Sequence, residues 1–116
     1  MKKDSTLLII DDEVDICLLL ERILNKYFKT VVCCHTLTAA SEHIRQNEPT
    51  HILLDNNLPD GYGLDYVTTI KKVVPNIIVV IISALDLKPL AMSMGADSFV
   101  SKPLNMLLVK QALSLV

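Results

Sequence analysis

The sequence predicts an open α/β sandwich, in which a five-stranded parallel sheet carries helices on both faces. Two observations predict it: short apolar runs recur along the chain, and the segments between them have the apolar periodicity of helices. The runs are continuously apolar and rich in Ile and Val, which is typical of parallel strands buried on both faces. Right-handed crossovers then place helices on both faces of the sheet. The predicted strands lie at residues 7–10, 30–34, 51–54, 77–82 and 98–101.

Two helices are predicted between the first three strands. The first spans residues 14–28, where apolar residues repeat at intervals of three and four and form one stripe. That stripe consists of Ile16, Leu19, Leu20, Ile23 and Leu24. The second helix, over residues 38–47, is more weakly amphipathic, and Thr38 is its expected N-cap.

Three more helices are predicted in the second half of the chain. One spans residues 64–74 and is ended by a proline. Another lies within residues 87–94 and is short. It should begin near Lys88, because Pro89 fits a first helical turn far better than a helix interior. The last helix covers residues 104–116.

Composition limits the classes of function. The 116 residues have room for one domain, predicted to cover residues 1–116, and 51% of them are hydrophobic. The net charge of −2, without a basic stripe, argues against nucleic-acid binding by this segment. The N-terminal apolar run is too short for a signal peptide, and no run approaches the length of a membrane span.

Cysteine usage favours a reducing, cytoplasmic location. An odd count without framework spacing is typical of proteins that lack disulfides; the three are Cys17, Cys33 and Cys34. Neighbouring side chains on a strand point to opposite faces, so Cys33 and Cys34 are interpreted as small apolar strand residues rather than metal ligands. No ligand spacing links the three histidines, which are expected in a loop, a helix and the start of a strand: His35, His43 and His51.

The ends of the predicted strands carry polar residues. The stretch "HILLDNNLPDGYG", residues 51–63, begins as a buried strand and ends on a carboxylate, Asp55. Three other strands also end on polar side chains: Asp11 and Asp12, Ser83, and Lys102. Only the second strand, ending near His35, has no side chain at its end with an obvious role in catalysis or binding. Because the carboxyl ends of parallel strands meet at one edge of the sheet, these side chains are expected to share a crevice.

Three carboxylates in one crevice repel each other unless a cation offsets their charge. Carboxylates with a backbone carbonyl and waters suit Mg²⁺ or Mn²⁺. Lys102 and Ser83 predict an anion beside the metal, and a phosphoryl group fits, because the lysine neutralises its oxygens and the hydroxyl donates to them. Asp55, central in the crevice, is then the nucleophile. Since an aspartate at a strand end is often only an N-cap, the prediction depends on the conjunction of these residues.

In this pattern the sequence resembles the receiver domain of bacterial response regulators, the phosphate-accepting part of two-component signalling. The matching features cover nearly the whole chain, and they are highly specific only together. They are Asp11-Asp12, Asp55 with Pro59 and Gly63 after it, Ser83-Ala84, and Lys102-Pro103 preceded by "GADSF". The resemblance implies a flavodoxin-like sheet with strand order 2-1-3-4-5.

The resemblance also implies a role for the acidic residues. Asp55 would take a phosphoryl group from the phosphohistidine of a sensor histidine kinase or phosphotransfer protein, and the chain would not be a turnover enzyme. Asp12 and Asp55 would bind Mg²⁺ directly, Asp11 largely through water, and Asn57 through its backbone carbonyl.

The remaining matched residues imply a switch. Lys102 would pair with the phosphoryl oxygens, and Ser83 would move to hydrogen-bond them. Phe99 occupies the position of the family's switch aromatic, and its ring would turn inward when the hydroxyl moves. This reshapes the face of helix four, strand five and helix five. An output domain, a partner protein or a second copy in a phosphorylation-dependent homodimer would engage that face.

Two departures from the family pattern concern the output face and the loop after Asp55. Eleven residues separate Ser83 from Gly95. That is about three fewer than in many members, or roughly one helical turn, so helix four is expected to be short or displaced. Gly61 and Tyr62 replace the first two residues of the commoner Met-Asp-Gly, which should change the loop's shape more than its chemistry.

Asn57 and Leu85 lie at positions that tune the lifetime of the phosphoryl group in this family. Hydrolysis needs a water aligned with the acyl phosphate, and apolar Leu85 cannot orient it by a side-chain hydrogen bond. Slow to moderate self-dephosphorylation is therefore expected.

Alternative functions stay open at this point. A phosphatase of the haloacid-dehalogenase type would use Asp11 as its nucleophile, with Glu13 where that motif has aspartate, although the chain is short and has no cap segment. A receiver-like module that only docks partners, without phosphorylation, is the other. The chain is expected to be either a stand-alone regulator or the N-terminal part of a longer protein.

Overall fold

The computed structural model describes residues 2–115, and the side chains of residues 4–115. Its main sheet contains five strands in the order β2-β1-β3-β4-β5, and all neighbouring strands are parallel. The strands are β1 (Lys2–Ile10), β2 (Phe28–Cys34), β3 (His51–Asp55), β4 (Ile78–Ser83) and β5 (Ser98–Ser101). The predicted fold class and strand order are confirmed.

Five helices cover the two faces of the sheet: α1 (Val14–Leu24), α2 (Leu37–Asn47), α3 (Gly63–Val73), α4 (Lys88–Ser93) and α5 (Met106–Ala112). Buried residues of α2, α3 and α4 belong to one apolar layer. Those of α1 and α5 belong to the other. The sheet is therefore covered on both sides, as continuously apolar strands require.

The strands supply both layers alternately. In β1, Leu8 and Ile10 belong to the α2/α3/α4 layer, and Leu7 and Ile9 belong to the α1/α5 layer. All four side chains are at most 1% exposed. Since successive strand residues point to opposite faces, a strand buried on both sides loses its polar alternation. This burial holds the carboxyl ends of the strands rigidly.

Helix α1 differs from its prediction in length and in its buried face. It ends at Leu24, and a 3₁₀ turn, Asn25–Tyr27, leads directly into β2. Leu19 is 53% exposed, whereas Cys17 is buried with Leu20 and Leu24. The buried face of α1 therefore includes Cys17 and excludes Leu19, unlike the predicted stripe. The prediction was wrong here because a leucine in an amphipathic pattern is not always buried.

The predicted N-cap of α2 is wrong. Thr36 is the cap, and its hydroxyl oxygen accepts the N–H of Ala39 at 3.1 Å. Thr38 instead donates its N–H and its hydroxyl to the carboxylate of Asp60. Both threonines have the right chemistry for a cap, and only the extended backbone at Thr36 distinguishes them.

The last two helices are short. Helix α4 begins at Lys88 with Pro89 in its first turn, as the sequence predicts, and its six residues make it short. Helix α5 is shorter than predicted, because Asn105 caps its N-terminus and the helix ends at Ala112. Among residues 2–115, no helix is long and apolar enough to cross a membrane.

Candidate functional site

The ends of β1 and β3 bring three carboxylates together. One oxygen each from Asp11, Asp12 and Asp55 lies within 4.8 Å of the others. Asp11 is 0% and Asp55 2% exposed, whereas Asp12 is open to solvent. The predicted acidic crevice therefore exists, with two buried acids behind an exposed one.

Asp11 is held by backbone hydrogen bonds but is incompletely satisfied. Its N–H donates to the carbonyl of Cys34 at 3.0 Å, and its Oδ1 accepts the N–H of Glu13 at 2.9 Å. Its other oxygen, Oδ2, is buried and has no hydrogen-bond partner. Burial raises the pKa of Asp11 to about 6, and the nearby Asp55 carboxylate adds to this, although the Glu13 N–H opposes it.

Asp55 faces a donor with each of its carboxylate oxygens. Oδ1 accepts the N–H of Asn57 at 3.3 Å, and Oδ2 lies 3.4 Å from the ammonium of Lys102. Burial raises the pKa of Asp55 despite the opposing Lys102 charge. A glycine is required behind it, because a Cβ at Gly63 would lie 2.5 Å from the Asp55 carbonyl oxygen.

Lys102 follows β5 and is anchored at the same edge. Its N–H donates to the carbonyl of Ser83 at 2.9 Å, and its ammonium also lies 3.6 Å from Glu13. Burial acts to lower the pKa of Lys102, but the Asp55 and Asp11 carboxylates outweigh it, so the pKa is raised. The lysine is therefore charged at the point where the buried acids need a counter-charge.

Ser83 and Leu85 border a cavity beside Asp55. The cavity has a volume of about 430 Å³. Its lining consists of Asp55, Asn56, Asn57, Tyr62, Ser83, Ala84, Leu85 and Lys102. The Ser83 oxygen accepts the N–H of Leu85 at 3.0 Å, which leaves the hydroxyl hydrogen as a donor. Leu85 is 65% exposed at the cavity mouth.

The loop after β3 contains two structural residues that the sequence reasoning missed. The Asn56 side chain accepts the N–H of Leu64 at 3.0 Å and so fixes the start of α3. The Asp60 carboxylate accepts the backbone N–H groups of Leu37 and Thr38 at 2.9 and 3.0 Å. Asp60 follows a proline and precedes a glycine, and this turn signature conceals its role as an anchor for α2.

The end of β2 also contributes, contrary to the prediction. His35 Nδ1 lies 2.8 Å from the carbonyl oxygen of Asp11. Since a carbonyl only accepts, Nδ1 carries the donated hydrogen. His35 thus supports the backbone of the acidic pair, and no spacing in the sequence indicates this contact.

Phe99 lies away from the carboxylates on β5. It pairs with Ile81 of β4 and packs against the α2/α3/α4 layer while remaining half-buried. It also lines a surface groove with residues of α4 and α5, including Lys88 and Leu108. The predicted switch residue is therefore on the α4/β5/α5 face, in register with the strand that leads to Ser83.

The acidic crevice fits a hard divalent cation. All three carboxylates offer oxygens, which Mg²⁺ and Mn²⁺ prefer, and their spacing suits ligands of one ion. The buried, unpartnered Oδ2 of Asp11 is the clearest sign, because a buried acceptor without a partner raises the free energy of the fold. A cation in the crevice removes that penalty.

The fold and the site define a flavodoxin-like α/β domain with an acidic pocket at the carboxyl edge of its sheet. The sequence model of one family, the response regulator receiver domain, matches residues 7–114. The chain belongs to this family, whose members interact with histidine kinases and output domains.

Individual relatives are also similar in sequence to this chain. The chain is 35% identical over 102 residues to the response regulator protein PilR of Pseudomonas aeruginosa, covering 85% of this chain and 23% of that protein. It is 31% identical over 103 residues to a protein-glutamate methylesterase/protein-glutamine glutaminase of Burkholderia thailandensis, covering 83% of this chain and 28% of that protein. The chain thus spans about a quarter of the length of these curated relatives.

A solved structure shows the same fold. It is a response regulator protein from Burkholderia pseudomallei with a phosphorylated aspartic acid, a calcium ion and citrate. The TM-score is 0.87 at 23% identity, over 95% of this chain and 66% of that one.

The burial of Asp11 predicts that the free energy of unfolding of the metal-free protein depends on pH. The folded chain keeps the Asp11 proton to about pH 6, whereas the unfolded chain releases it near the ordinary value of 3.8. The contribution of Asp11 to the free energy of unfolding therefore falls as the pH rises through this window, by up to about 3 kcal/mol. Asp11→Asn should be more stable than wild type by about 1–3 kcal/mol at pH 7.5, and equal to it near pH 4.

Urea unfolding with EDTA at both pH values measures this difference. Asp86→Asn is the matched control, because Asp86 is exposed and its replacement should change stability by less than about 0.5 kcal/mol. The account of Asp11 is wrong if its asparagine variant gains no more stability at pH 7.5 than at pH 4.

Proposed function

We propose that the chain is a phosphoacceptor receiver domain over residues 1–116, in which Asp55 takes a phosphoryl group from the phosphohistidine of a histidine kinase or phosphotransfer protein. One observation carries the proposal: the Lys102 ammonium lies 3.4 Å from the carboxylate of Asp55, inside the acidic crevice. The same ammonium also lies 3.6 Å from the exposed Glu13, but Asp55 is its nearer partner and lines the cavity that Ser83 borders.

In the transfer, an Asp55 carboxylate oxygen attacks phosphorus, the nitrogen–phosphorus bond of the donor breaks, and an acyl phosphate forms. From the cavity side, Lys102 neutralises the phosphoryl oxygens and the Ser83 hydroxyl donates a hydrogen bond to them. Asp11, Asp12, Asp55 and the Asn57 carbonyl would hold Mg²⁺ or Mn²⁺. When bound, the cation supplies positive charge to the carboxylates and the phosphoryl oxygens.

The phosphorylated aspartic acid and calcium ion in the Burkholderia pseudomallei structure support this role for the shared fold. The chain is not proposed to be a turnover enzyme, because each transfer converts Asp55 to its acyl phosphate. The free carboxylate returns only when that acyl phosphate is hydrolysed. Hydrolysis is proposed to be slow to moderate, since Leu85 offers no hydrogen bond to a water in the cavity.

Signalling is proposed to begin at Ser83. Its oxygen accepts the Leu85 N–H, so turning its hydroxyl towards a phosphoryl group also shifts the start of the β4–α4 loop. Phe99 lies in the next strand and lines the groove between α4 and α5, where it can transmit that shift. An output domain, a partner protein or a second copy would then recognise the changed α4/β5/α5 face.

The phosphatase alternative places the nucleophile at Asp11. The geometry disfavours it, because the Lys102 ammonium lies closest to Asp55, and the cavity bordered by Ser83 is lined by Asp55 and not by Asp11. The docking-only alternative has no comparable argument against it except the intact set of acids, hydroxyl and lysine. The phosphorylation experiment distinguishes all three.

Incubation with acetyl phosphate and Mg²⁺ should add one phosphoryl group, because the small donor needs no kinase contacts. Intact-mass spectrometry measures the gain, which should be absent with EDTA and in Asp55→Asn. Asp65→Asn is the matched control, since Asp65 is exposed on α3 and should retain the gain. Modification of Asp11 would favour the phosphatase, and no gain with metal present would favour the docking module.

Leu85→Gln should shorten the lifetime of the phosphorylated form. A glutamine at the cavity mouth can hydrogen-bond the attacking water, and one such bond corresponds to about a threefold to tenfold faster decay. The decay of the phosphorylated mass after removal of acetyl phosphate gives the rate. Leu90→Gln, at an exposed position of α4, is the control, and an unchanged rate for Leu85→Gln would remove the proposed role of Leu85.

A further inference from the structure

Two cysteines lie beside the acidic crevice without a role in the proposed phosphorylation chemistry. The Cys17 thiol, on α1, donates to the carbonyl oxygen of Asp11 at 3.5 Å. The same sulfur lies 3.9 Å from His35 Nδ1. Cys17 therefore belongs to the cluster of contacts that holds the backbone of Asp11, the deepest acid of the crevice.

The second cysteine approaches from the neighbouring strand. The Cys33 thiol, on β2, donates to the backbone carbonyl of Cys17 at 3.5 Å. Both side chains lie in the α1/α5 layer, so the Cys33 sulfur lies against the part of α1 that carries Cys17. Rotation of the two side chains would bring their sulfurs to bonding distance.

The two thiols differ in access. Cys17 is 1% exposed, whereas Cys33 is half-buried and reachable from solvent. This asymmetry separates an accessible thiol that reacts first from a buried thiol that resolves the product.

We propose that Cys17 and Cys33 form a reversible disulfide that makes the receiver pocket sensitive to peroxide. In the first step the Cys33 sulfur attacks hydrogen peroxide, the oxygen–oxygen bond breaks, and a sulfenic acid and one water form. In the second step the Cys17 sulfur displaces the hydroxyl group from Cys33, and a second water leaves. The two thiols lose two electrons and two protons in total, and the peroxide is reduced to two waters.

Bond formation changes the support of Asp11. Cys17 loses the hydrogen that it donates to the Asp11 carbonyl, and α1 becomes tied to β2 immediately after the acidic pair. The Asp11 carbonyl then keeps its contact with His35 but loses the one with Cys17, which changes the support of the loop that carries Asp12. This consequence, which rests on the proposed function, is a slower phosphorylation of the oxidised chain.

Cys34 provides an internal control. It is adjacent to Cys33 but packs into the α2/α3/α4 layer on the opposite face of the sheet. A disulfide selected by geometry should therefore involve Cys33 and exclude Cys34, although the two residues are neighbours in the sequence.

The test treats reduced wild-type chain with hydrogen peroxide and measures its intact mass. The expected product is a monomer lighter by two hydrogens that dithiothreitol restores. Trypsin should release residues 4–22 linked to residues 30–45. Cys34→Ser should retain the cross-link, and Cys33→Ser should lose it. Because Cys33 and Cys34 lie in the same tryptic peptide, fragmentation of the linked wild-type peptides between these two residues decides the pairing even if a variant folds poorly.

The second measurement compares acetyl phosphate labelling of the reduced and oxidised wild-type chain. A rate at least threefold lower after oxidation, reversed by dithiothreitol and absent in Cys33→Ser, is expected. Over-oxidised thiols, links between chains or a link through Cys34 would overturn the disulfide. A Cys17–Cys33 link without a rate change would overturn its control of the pocket. If the reduced chain is not labelled at all, the proposed function fails. The intact mass and the linked peptides still show in that case whether the disulfide forms.

Discussion

Charge balance at the carboxyl edge of the sheet is the constraint on which the site depends. Two carboxylates, Asp11 and Asp55, are almost completely buried, and a third, Asp12, lies within 4.8 Å of them. Removing carboxylates from water raises their free energy, and their mutual repulsion adds to it. Lys102 offsets part of this cost at 3.4 Å from Asp55, but it leaves the buried Oδ2 of Asp11 without a partner. The metal-free pocket is therefore poised to accept positive charge.

The core maintains this unfavourable arrangement. Strands β1 and β3 are buried on both faces, so the acids at their ends cannot move apart without disrupting two apolar layers. The loop beyond Asp55 is fixed as well, because Gly63 packs against the Asp55 carbonyl and Asn56 binds the start of α3. The pocket combines a rigid floor with an exposed mouth at Leu85, an arrangement that suits the transfer proposed above.

The sequence predicts the sheet and the acidic crevice well, because both depend on strong local signals. Continuous apolar runs define the strands, and parallel topology brings their polar ends to one edge. The contacts of Asp60 and His35 could not be predicted, since each joins segments separated by more than twenty residues through a backbone group. The cap at Thr36 and the exposure of Leu19 depend on backbone geometry and tertiary packing, which residue type alone does not determine.

The most direct test of the central claim is a Mg²⁺ titration of ¹⁵N-labelled chain followed by amide NMR. If one cation joins the separate strand ends, the amides of Asp11, Asp12, Asn57 and Lys102 should shift together with a single dissociation constant. Asp55→Asn should weaken the whole set. Shifts confined to one strand end, or spread over exposed acids such as Asp65, would contradict a shared pocket.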